Sequence, residues 1–223
     1  MMIKKIIAFF SILLISYFSY GQDSDFGIWT EINASRKVTG KLRGELSVSV
    51  RSFENSSKVE QLFGEAALSY KFNDFLSAAT SYRLVSALED DALYHFTHKF
   101  FFDLKASIKA GDFGLSARAR MQIANRTYLE SPTDDPFRYY ARLKIKGVYD
   151  IPAFRFNPFL SYEPFVPVAR GNGFEISKYR ISAGTEVKIS EKSSLEAGYI
   201  FEHDTRPDNI NNNIITVGWN LKF

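Results

Sequence analysis

The sequence contains no cysteine. This absence excludes disulfide bonds, thiolate metal sites and cysteine nucleophiles. It also excludes the anchor of a lipoprotein, because that lipid is attached to a cysteine behind the signal sequence. No glycine-rich phosphate loop, zinc-ligand spacing or nucleic-acid motif is present either. We therefore expect no cofactor and no bound metal.

Long apolar runs are also absent beyond residue 21, where none approaches the ~20 residues of a membrane-spanning helix. The mean hydropathy is only −0.17. A transmembrane barrel remains compatible with this value, because only alternate residues of its strands need to be apolar. Aromatic residues, by contrast, are abundant: 21 Phe and 12 Tyr, with aromatics making up 16% of the chain.

The charge is nearly balanced, with a formal net charge of +3. Two of the positive charges, Lys4 and Lys5, belong to the extreme N-terminus. There is accordingly no global electrostatic attraction to nucleic acid, and we expect no nucleic-acid partner.

Residues 1–21 have the pattern of a secretory signal peptide. Lys4 and Lys5 precede a mostly apolar run over residues 6–18, and Ser19 and Gly21 supply small residues before a cleavage site at Gln22. The run is shorter than a spanning helix, which disfavours a retained membrane anchor. We predict export of a mature chain, residues 22–223, that forms one domain.

Every second one of the last ten residues is apolar and most of those between are polar or small, which predicts a strand with one apolar face. The apolar set is Ile215, Val217, Trp219, Leu221 and Phe223. The stretch resembles the C-terminal signal by which the outer-membrane insertion machinery recognises its clients, at Thr216, Gly218, Leu221 and Phe223.

Nine earlier segments repeat this period of two: residues 41–53, 59–72, 75–88, 93–109, 113–128, 137–149, 154–165, 176–189 and 195–204. Ten segments in series predict an all-β fold, an antiparallel transmembrane β-barrel with short periplasmic turns. Segment 154–165 is the weakest, because Pro158 and Pro164 remove ladder donors. A bulge or a local break is expected there.

Residues 26–34 also alternate and raise a question of parity. If this stretch spans, the barrel has eleven strands and its N-terminus lies outside, which is unusual for a bacterial single-chain barrel. Otherwise the segment within residues 22–40 packs against the wall or in the lumen, or another strand brings the number to twelve. We expect about ten to twelve strands.

A soluble sandwich or lipocalin-like barrel would turn the same apolar face inward. Two observations favour the membrane: the aromatic C-terminus, and aromatic residues near the strand ends, as in interfacial girdles. One girdle is predicted from Phe72, Phe75, Phe113, Tyr149, Phe154 and Phe223, and the other from Tyr94, Tyr139, Tyr162, Tyr179 and Phe201. Counting back from Phe223 predicts periplasmic turns at residues 73–74, 110–112, 150–153 and 190–193. The outward loops are then 54–58, 89–92, 129–136, 168–175 and 206–212.

Several stretches resemble a family of uncharacterised, porin-like bacterial outer-membrane proteins, catalogued as a domain of unknown function. They are Phe26-Gly27-Ile28-Trp29, Leu-Arg-Gly-Glu-Leu-Ser-Val-Ser-Val-Arg-Ser-Phe at 42–53, Leu-Ser-Tyr-Lys-Phe at 68–72 and Ser-Tyr-Arg at 81–83. The resemblance covers nearly all of the mature chain. It implies the location and the fold, and it brings no known active residues.

The polar face of two consecutive strands carries a basic stripe: Arg118, Arg120, Arg126, Arg138, Arg142, Lys144 and Lys146. One interpretation is a pore lining that attracts anions, because a ladder of cations sets a positive potential along the path. The other is a narrow lumen filled by self-satisfied Arg–Glu pairs, drawing on acids spread over the other strands.

An outer-membrane lipid hydrolase is the alternative function. It would need a histidine paired with a serine near the outer leaflet, and only His95, His98 and His203 are available. The alternation turns His95 inward and the other two toward lipid, and no serine is fixed beside any of them.

We therefore expect a small passive pore or a structural envelope protein with a polar, partly basic lumen in the bacterial outer membrane. Its expected partners are outer-membrane lipid, lipopolysaccharide and the insertion machinery. Acidic clusters at residues 89–91 and 134–135 could hold divalent cations that bridge lipopolysaccharide, or could be solvated loop charges.

Overall fold

Eleven strands form a closed barrel in the computed structural model, which describes residues 24–89, 92–126, 136–152, 154–168, 175–205 and 209–223. Neighbours along the chain are neighbours in the sheet, and β1 and β11 close the barrel. The strands are β1 (Ser24–Lys37), β2 (Leu42–Phe53), β3 (Lys58–Lys71), β4 (Leu76–Leu88), β5 (Tyr94–Ala110), β6 (Phe113–Arg126), β7 (Phe137–Tyr149), β8 (Phe156–Pro167), β9 (Lys178–Ser190), β10 (Ser193–Asp204) and β11 (Ile210–Lys222).

The predicted alternation fixes which side chains face outward. Along β5, Phe96, Phe100 and Phe102 are exposed on the outer wall, whereas Phe101 between them is buried at 1% exposure. The apolar face of every strand is turned out in this way, and the charged face is turned in. The all-β barrel is confirmed, with the facing expected for a membrane wall rather than for a soluble sandwich.

The barrel closes through a parallel pair. β1 and β11 run in the same direction, with Ser24 opposite Asn211 and Ser35 opposite Lys222, while the other ten pairs are antiparallel. The predicted antiparallel barrel is confirmed for ten of the eleven pairs, and this seam is the exception. The physical reason is parity, because in an up-and-down barrel with an odd number of strands the first and last must point the same way.

Residues 26–34 are part of β1, a full member of the barrel wall. The alternatives of a segment packed in the lumen or of a twelfth strand do not hold, and the count of eleven lies within the expected range. The start of β1 is fixed by Asp25, whose carboxylate accepts hydrogen bonds from the backbone N–H groups of Glu54 and Asn55, both at 2.8 Å. Gly27 allows the close approach of β2, because a Cβ there would lie 2.5 Å from the carbonyl oxygen of Ser52.

The proline-containing strand β8 is continuous, and the predicted local break is confined to its pairing with β7. Phe165 pairs with Arg142 and Tyr162 with Ile145, but Glu163 and Pro164 have no register partner on β7. The register is the same on both sides of this gap, so no bulge is present. Pro164 lacks the N–H that the ladder would need, which explains the gap.

Connections at the rim of Phe223 are short. Gly111 adopts a φ of 59° in the turn between β5 and β6, a conformation that glycine reaches without strain. The predicted periplasmic turns share this rim and the predicted outward loops lie at the other, although parts of the loops, like the signal peptide, lie outside the described residues. No helix in the described part of the chain is long and apolar enough to span a membrane.

Residues of both predicted aromatic girdles lie exposed or half-buried on the outer wall and contact one another. Near the rim of Phe223, the rings of Phe113 and Tyr149 have centroids 4.8 Å apart. Near the other rim, Tyr179 lies 6.1 Å from Tyr162 and 6.3 Å from Phe201. Such rims of amphipathic rings are typical of barrels in bilayers.

A pair of glycines makes room for an inward aromatic ring. Gly184 on β9 faces Gly198 on β10 and Phe159 on β8. A Cβ on Gly184 would clash with the carbonyl oxygen of Ala197, and would lie 2.7 Å from the Cα of Gly198 and 2.8 Å from the Phe159 ring. The first two of these three obstacles are backbone atoms, so the sheet itself would have to shift.

Replacing Gly184 with Ala should therefore destabilise the barrel by about 1–3 kcal/mol, the usual cost of overpacking. Gly147→Ala is the matched control, because nothing lies within 4 Å of a Cβ at that strand position. Chemical unfolding of the refolded barrel in detergent measures the difference. Equal stability of the two variants would contradict the close approach of β9 and β10.

The parallel seam can be tested by cross-linking, which the absence of native cysteine simplifies. Asn33 and Asn220 are register partners across the seam, so Asn33→Cys with Asn220→Cys should form a disulfide on oxidation, since neighbouring strands bring Cα atoms within bonding range. The matched control is Asn33→Cys with Asn212→Cys. Asn212 lies eight positions away along β11, about 26 Å, and should not cross-link. Mobility on denaturing gels reports the outcome, and a cross-link only in the second pair would overturn the register.

Candidate functional site: a cationic lumen

The interior of the barrel encloses a cavity of about 1280 Å³. Its lining includes Glu89 and Val168 at the rim opposite Phe223 and extends to Arg118, Lys144 and Ser182 deeper in the barrel. The lumen is therefore not filled by its own side chains. This volume is somewhat larger than the roughly 300–1,000 Å³ that is typical of small-molecule sites.

The side chains that line the cavity are strongly biased toward positive charge. Eleven lining residues are cations and four are carboxylates. The cations are Arg51, Arg83, Lys99, Arg118, Arg120, Arg126, Arg138, Arg142, Lys144, Lys178 and Arg180, and the carboxylates are Glu31, Glu89, Glu163 and Asp204. Because the chain as a whole is nearly neutral, the excess of positive charge belongs to the lining of the cavity.

A ring of arginine and aromatic side chains encircles the lumen, with one residue from each of β1 to β9. In strand order the members are Trp29, Arg51, Phe63, Arg83, Phe101, Arg120, Arg142, Phe165 and Arg180. We call these nine residues the waist ring. All lie on the inward face because each occupies a polar-phase position of its strand.

Cation–π contacts hold the waist ring together. The guanidinium carbon of Arg51 lies 3.8 Å from the ring centroid of Trp29 and 4.8 Å from that of Phe63. Arg83 likewise lies between Phe63, at 3.9 Å, and Phe101, at 5.2 Å.

The contacts continue to the other side of the barrel. Arg120 lies 4.5 Å from Phe101, and its register partner Arg142 lies 4.2 Å from Phe165. Arg180 spans Phe165 and Trp29 at 4.9 and 4.8 Å, which returns the ring to its first member. Stacking on an aromatic face stabilises a guanidinium by about 0.5–2 kcal/mol, according to its desolvation.

Carboxylates satisfy the edges of most guanidiniums in the waist ring. Arg120 forms a bidentate pair with Asp103, with both N–O distances at 2.6 Å, and Glu65 binds Arg83. Glu163 accepts from Arg142 at 2.9 Å and from Arg118 at 2.7 Å. Glu202 binds Arg180 and Lys178. The two-oxygen pair of Arg120 with Asp103 fixes both the position and the plane of that guanidinium, and the other pairs restrict the position of theirs.

Five cations that line the cavity have no carboxylate partner among the described residues: Arg51, Lys99, Arg126, Arg138 and Lys144. Arg51 is held by its two aromatic neighbours, and its Nε atom is buried without an acceptor. The indole Nε1 of Trp29 is a second buried donor without an acceptor. Unpaired donors of this kind are costly unless a mobile acceptor reaches them.

The structure brings the predicted basic stripe together on β6 and β7, where Arg118 pairs in register with Lys144 and Arg120 with Arg142. Four of its seven members, Arg118, Arg120, Arg142 and Lys146, form ion pairs. Arg126, Arg138 and Lys144 have no ion pair in the described part of the chain. The stripe thus contains both of the expected arrangements: cations that are paired with carboxylates, and cations that leave an unpaired positive charge facing the cavity. Its role in binding or transport remains a prediction.

The stripe covers only part of the cationic site. It omits Arg51, Arg83, Lys99 and Arg180, which come from strands far apart in the sequence, and it omits every aromatic member of the waist ring. The sequence does contain a sign of the aromatic members, because Phe63 and Phe101 occupy positions that the alternation assigns to polar residues. Aromatic residues out of phase with the outer wall mark lumen contacts.

Two of the three histidines, His98 and His203, bond to side chains other than serine in the described part of the chain. His98 Nδ1 lies 2.7 Å from the hydroxyl of Tyr82, and His203 Nδ1 lies 2.7 Å from Oδ1 of Asn211. Both face outward as predicted, and His95 faces inward. In the described part of the chain, no serine side chain bonds to His98 or His203. A nucleophile and its base need hydrogen-bond contact.

Metal ligands are not clustered either: the described residues contain no group of three or more His, Cys, Asp or Glu side chains that could hold a metal ion. The predicted acidic clusters at residues 89–91 and 134–135 lie outside the described residues except for Glu89. The C-terminal segment forms β11, with Val217, Trp219 and Phe223 exposed on the outer wall. Its role as an assembly signal remains a prediction.

Removing the carboxylate shared by two guanidiniums should destabilise the waist. Glu163→Gln leaves Arg118 and Arg142 with no carboxylate, so the free energy of unfolding should fall on the order of 3 kcal/mol. Glu196→Gln is the matched control, because the Glu196 side chain is 37% exposed and its one ion-pair partner among the described residues, Lys146, lies 3.4 Å away. Chemical denaturation in detergent measures both variants, and equal losses would show that burial at Glu163 has no energetic consequence.

Comparison with known proteins agrees with this architecture. The porin NanC, solved in a rhombohedral crystal form, superposes with a TM-score of 0.56 at 11% identity, covering 89% of this chain and 98% of NanC. The β domain of the Bordetella autotransporter BrkA matches with a TM-score of 0.45 at 11% identity, covering 82% of each chain. At these identities NanC shows a shared barrel fold.

No curated protein sequence shows a significant match. The pattern of one sequence family, described as "Protein of unknown function (DUF2490)", matches residues 26–213. The predicted resemblance to an uncharacterised family is confirmed, and the chain belongs to the DUF2490 family.

Proposed function

We propose that the protein is a bacterial outer-membrane barrel that acts as a small passive pore with a preference for anions. The observation that carries this proposal is the excess of eleven cations over four carboxylates in a cavity of about 1280 Å³. Residues 1–21, read as a cleaved signal peptide, support export.

The outer wall supports the membrane location. Large apolar side chains stand exposed on the outside of the strands, among them Leu46 at 63%, Ile108 at 61% and Leu160 at 61%. Exposed apolar surface of this extent is unfavourable in water and favourable in lipid. Lipid and lipopolysaccharide would contact this wall, and the insertion machinery would recognise Thr216, Gly218, Leu221 and Phe223 during assembly.

The extent of the cationic lining supports passage. The cavity reaches from Glu89 and Val168, at the rim opposite Phe223, past the waist ring to Arg118 and Lys144. On the inward face still nearer the rim of Phe223, Lys105 is exposed to solvent. A solute would therefore meet cations above, at and below the waist. Such a path lowers the electrostatic energy of an anion and raises that of a cation.

Reconstitution in planar bilayers tests the proposal. We expect discrete conductance steps and a reversal potential, in a salt gradient, that reports anion preference. Lys99→Gln with Lys144→Gln should move this preference toward neutrality, since both lysines line the cavity without a carboxylate partner and leave no acid unpaired when neutralised. The shift should be largest at low ionic strength, where the Debye length exceeds ~10 Å.

Lys109→Gln with Lys188→Gln is the matched control. It removes the same charge from exposed lysines near Asp150 at the rim of Phe223, outside the lining of the cavity, and should leave the preference unchanged. A silent bilayer with a stable, heat-modifiable barrel would overturn the pore and leave a structural envelope role. Lipid hydrolysis abolished by replacing His98 or His203 with Ala would favour the hydrolase instead.

A further inference from the structure

We propose that the waist ring forms, with Lys99, a discrete binding site for an oxyanion such as a phosphate or carboxylate group of a passing solute. The site rests on the proposed pore but differs from a diffuse positive potential, because it names the atoms that bind. Its centre is Lys99 on β5, with Arg51 and Trp29 on the facing wall.

Lys99 lies among the cations of the lumen, because it lines the cavity and is the register partner of Arg83 on β4. Its electrostatic neighbours are Arg83, Arg51, Arg142 and Arg180, which project from β4, β2, β7 and β9. These strands surround the lumen, so the ammonium group faces cations from several walls at once. No carboxylate of the described chain forms an ion pair with Lys99. An anion placed there interacts favourably with all of these groups, whereas a cation is repelled by all of them.

Donors outnumber acceptors at the site, although the carboxylate of Glu31 also lines the cavity. The Nε atom of Arg51 and the Nε1 atom of Trp29 are both buried and unpaired, and the two side chains are stacked 3.8 Å apart. A ligand with several acceptor oxygens satisfies such donors together with the ammonium group of Lys99. Chloride satisfies fewer, because it presents no array of separate oxygens. The geometry therefore favours an oxyanion over a halide.

The aromatic members make the site rigid. Arg51 is clamped between Trp29 and Phe63, and Arg83 between Phe63 and Phe101. Guanidiniums held in this way lose little conformational entropy when a ligand binds. Binding must still be weak enough for release, since passage requires that a solute leave the site.

Trp29 supplies a built-in probe. The chain has two tryptophans, and Trp219 lies on the outer wall, 44% exposed. In the refolded full barrel carrying Trp219→Phe, the fluorescence of Trp29 can be titrated in detergent with inorganic phosphate, and with sodium chloride at matched ionic strength. We expect a saturable change with phosphate and a smaller, non-saturating change with chloride.

Lys99→Gln should weaken the apparent affinity for phosphate by roughly tenfold or more, as expected for loss of a charge-assisted hydrogen bond. Lys109→Gln, outside the cavity, is the matched control and should bind as the parent does. Because Lys99 has no carboxylate partner to leave unpaired, the variant should fold, and heat-modifiable mobility verifies this.

The titration needs no ion flow, so its failure is distinct from failure of the pore. Anion-selective conductance with identical responses to phosphate and chloride, or with no effect of Lys99→Gln on binding, would overturn the site and leave the pore. Saturable phosphate binding that depends on Lys99 in a barrel that does not conduct would support the site and contradict passage.

Discussion

The stacking of guanidinium groups on inward aromatic rings is the interaction on which the lumen depends. An arginine inside a narrow barrel has two requirements, a weakly hydrated face that needs cover and an edge of N–H donors that needs acceptors. Phe63, Phe101, Phe165 and Trp29 cover the faces, and carboxylates from neighbouring strands satisfy most of the edges. The cations are consequently held against the wall, and a cavity remains between them.

The cations of the lumen fall into two groups, those that pair with a carboxylate and those that do not. Arg120 and Arg142 are fixed by Asp103 and Glu163, and their charge is largely neutralised where it stands. Lys99 and Lys144 have no such partner in the described chain, so their charge acts on the contents of the cavity. Structural ion pairing and anion attraction are thus carried by different members of one cluster. The waist can be rigid and positively charged at the same time.

The outer wall imposes a separate constraint, which is closure. A barrel in a bilayer must leave no unpaired strand edge, because no water satisfies its backbone groups. With eleven strands, closure requires β1 and β11 to pair in parallel, and they do so over Ser24 to Ser35. Proline in β8 is tolerated because only two positions lose their partners on β7. Backbone satisfaction around the circumference therefore decides the topology.

The sequence by itself determined the class of fold, the facing of nearly every strand residue and the distribution of turns between the two rims. These follow from a period of two, which is local and needs no knowledge of partners. The basic character of β6 and β7 was readable for the same reason. The tertiary structure alone decided the parallel seam, the count of eleven and the waist ring. Each depends on which strands become neighbours after closure, as in the hydrogen bond that joins Ser35 to Leu221 across 186 positions of sequence. Pairing at such separations is set by register around the whole barrel, and no local pattern contains it.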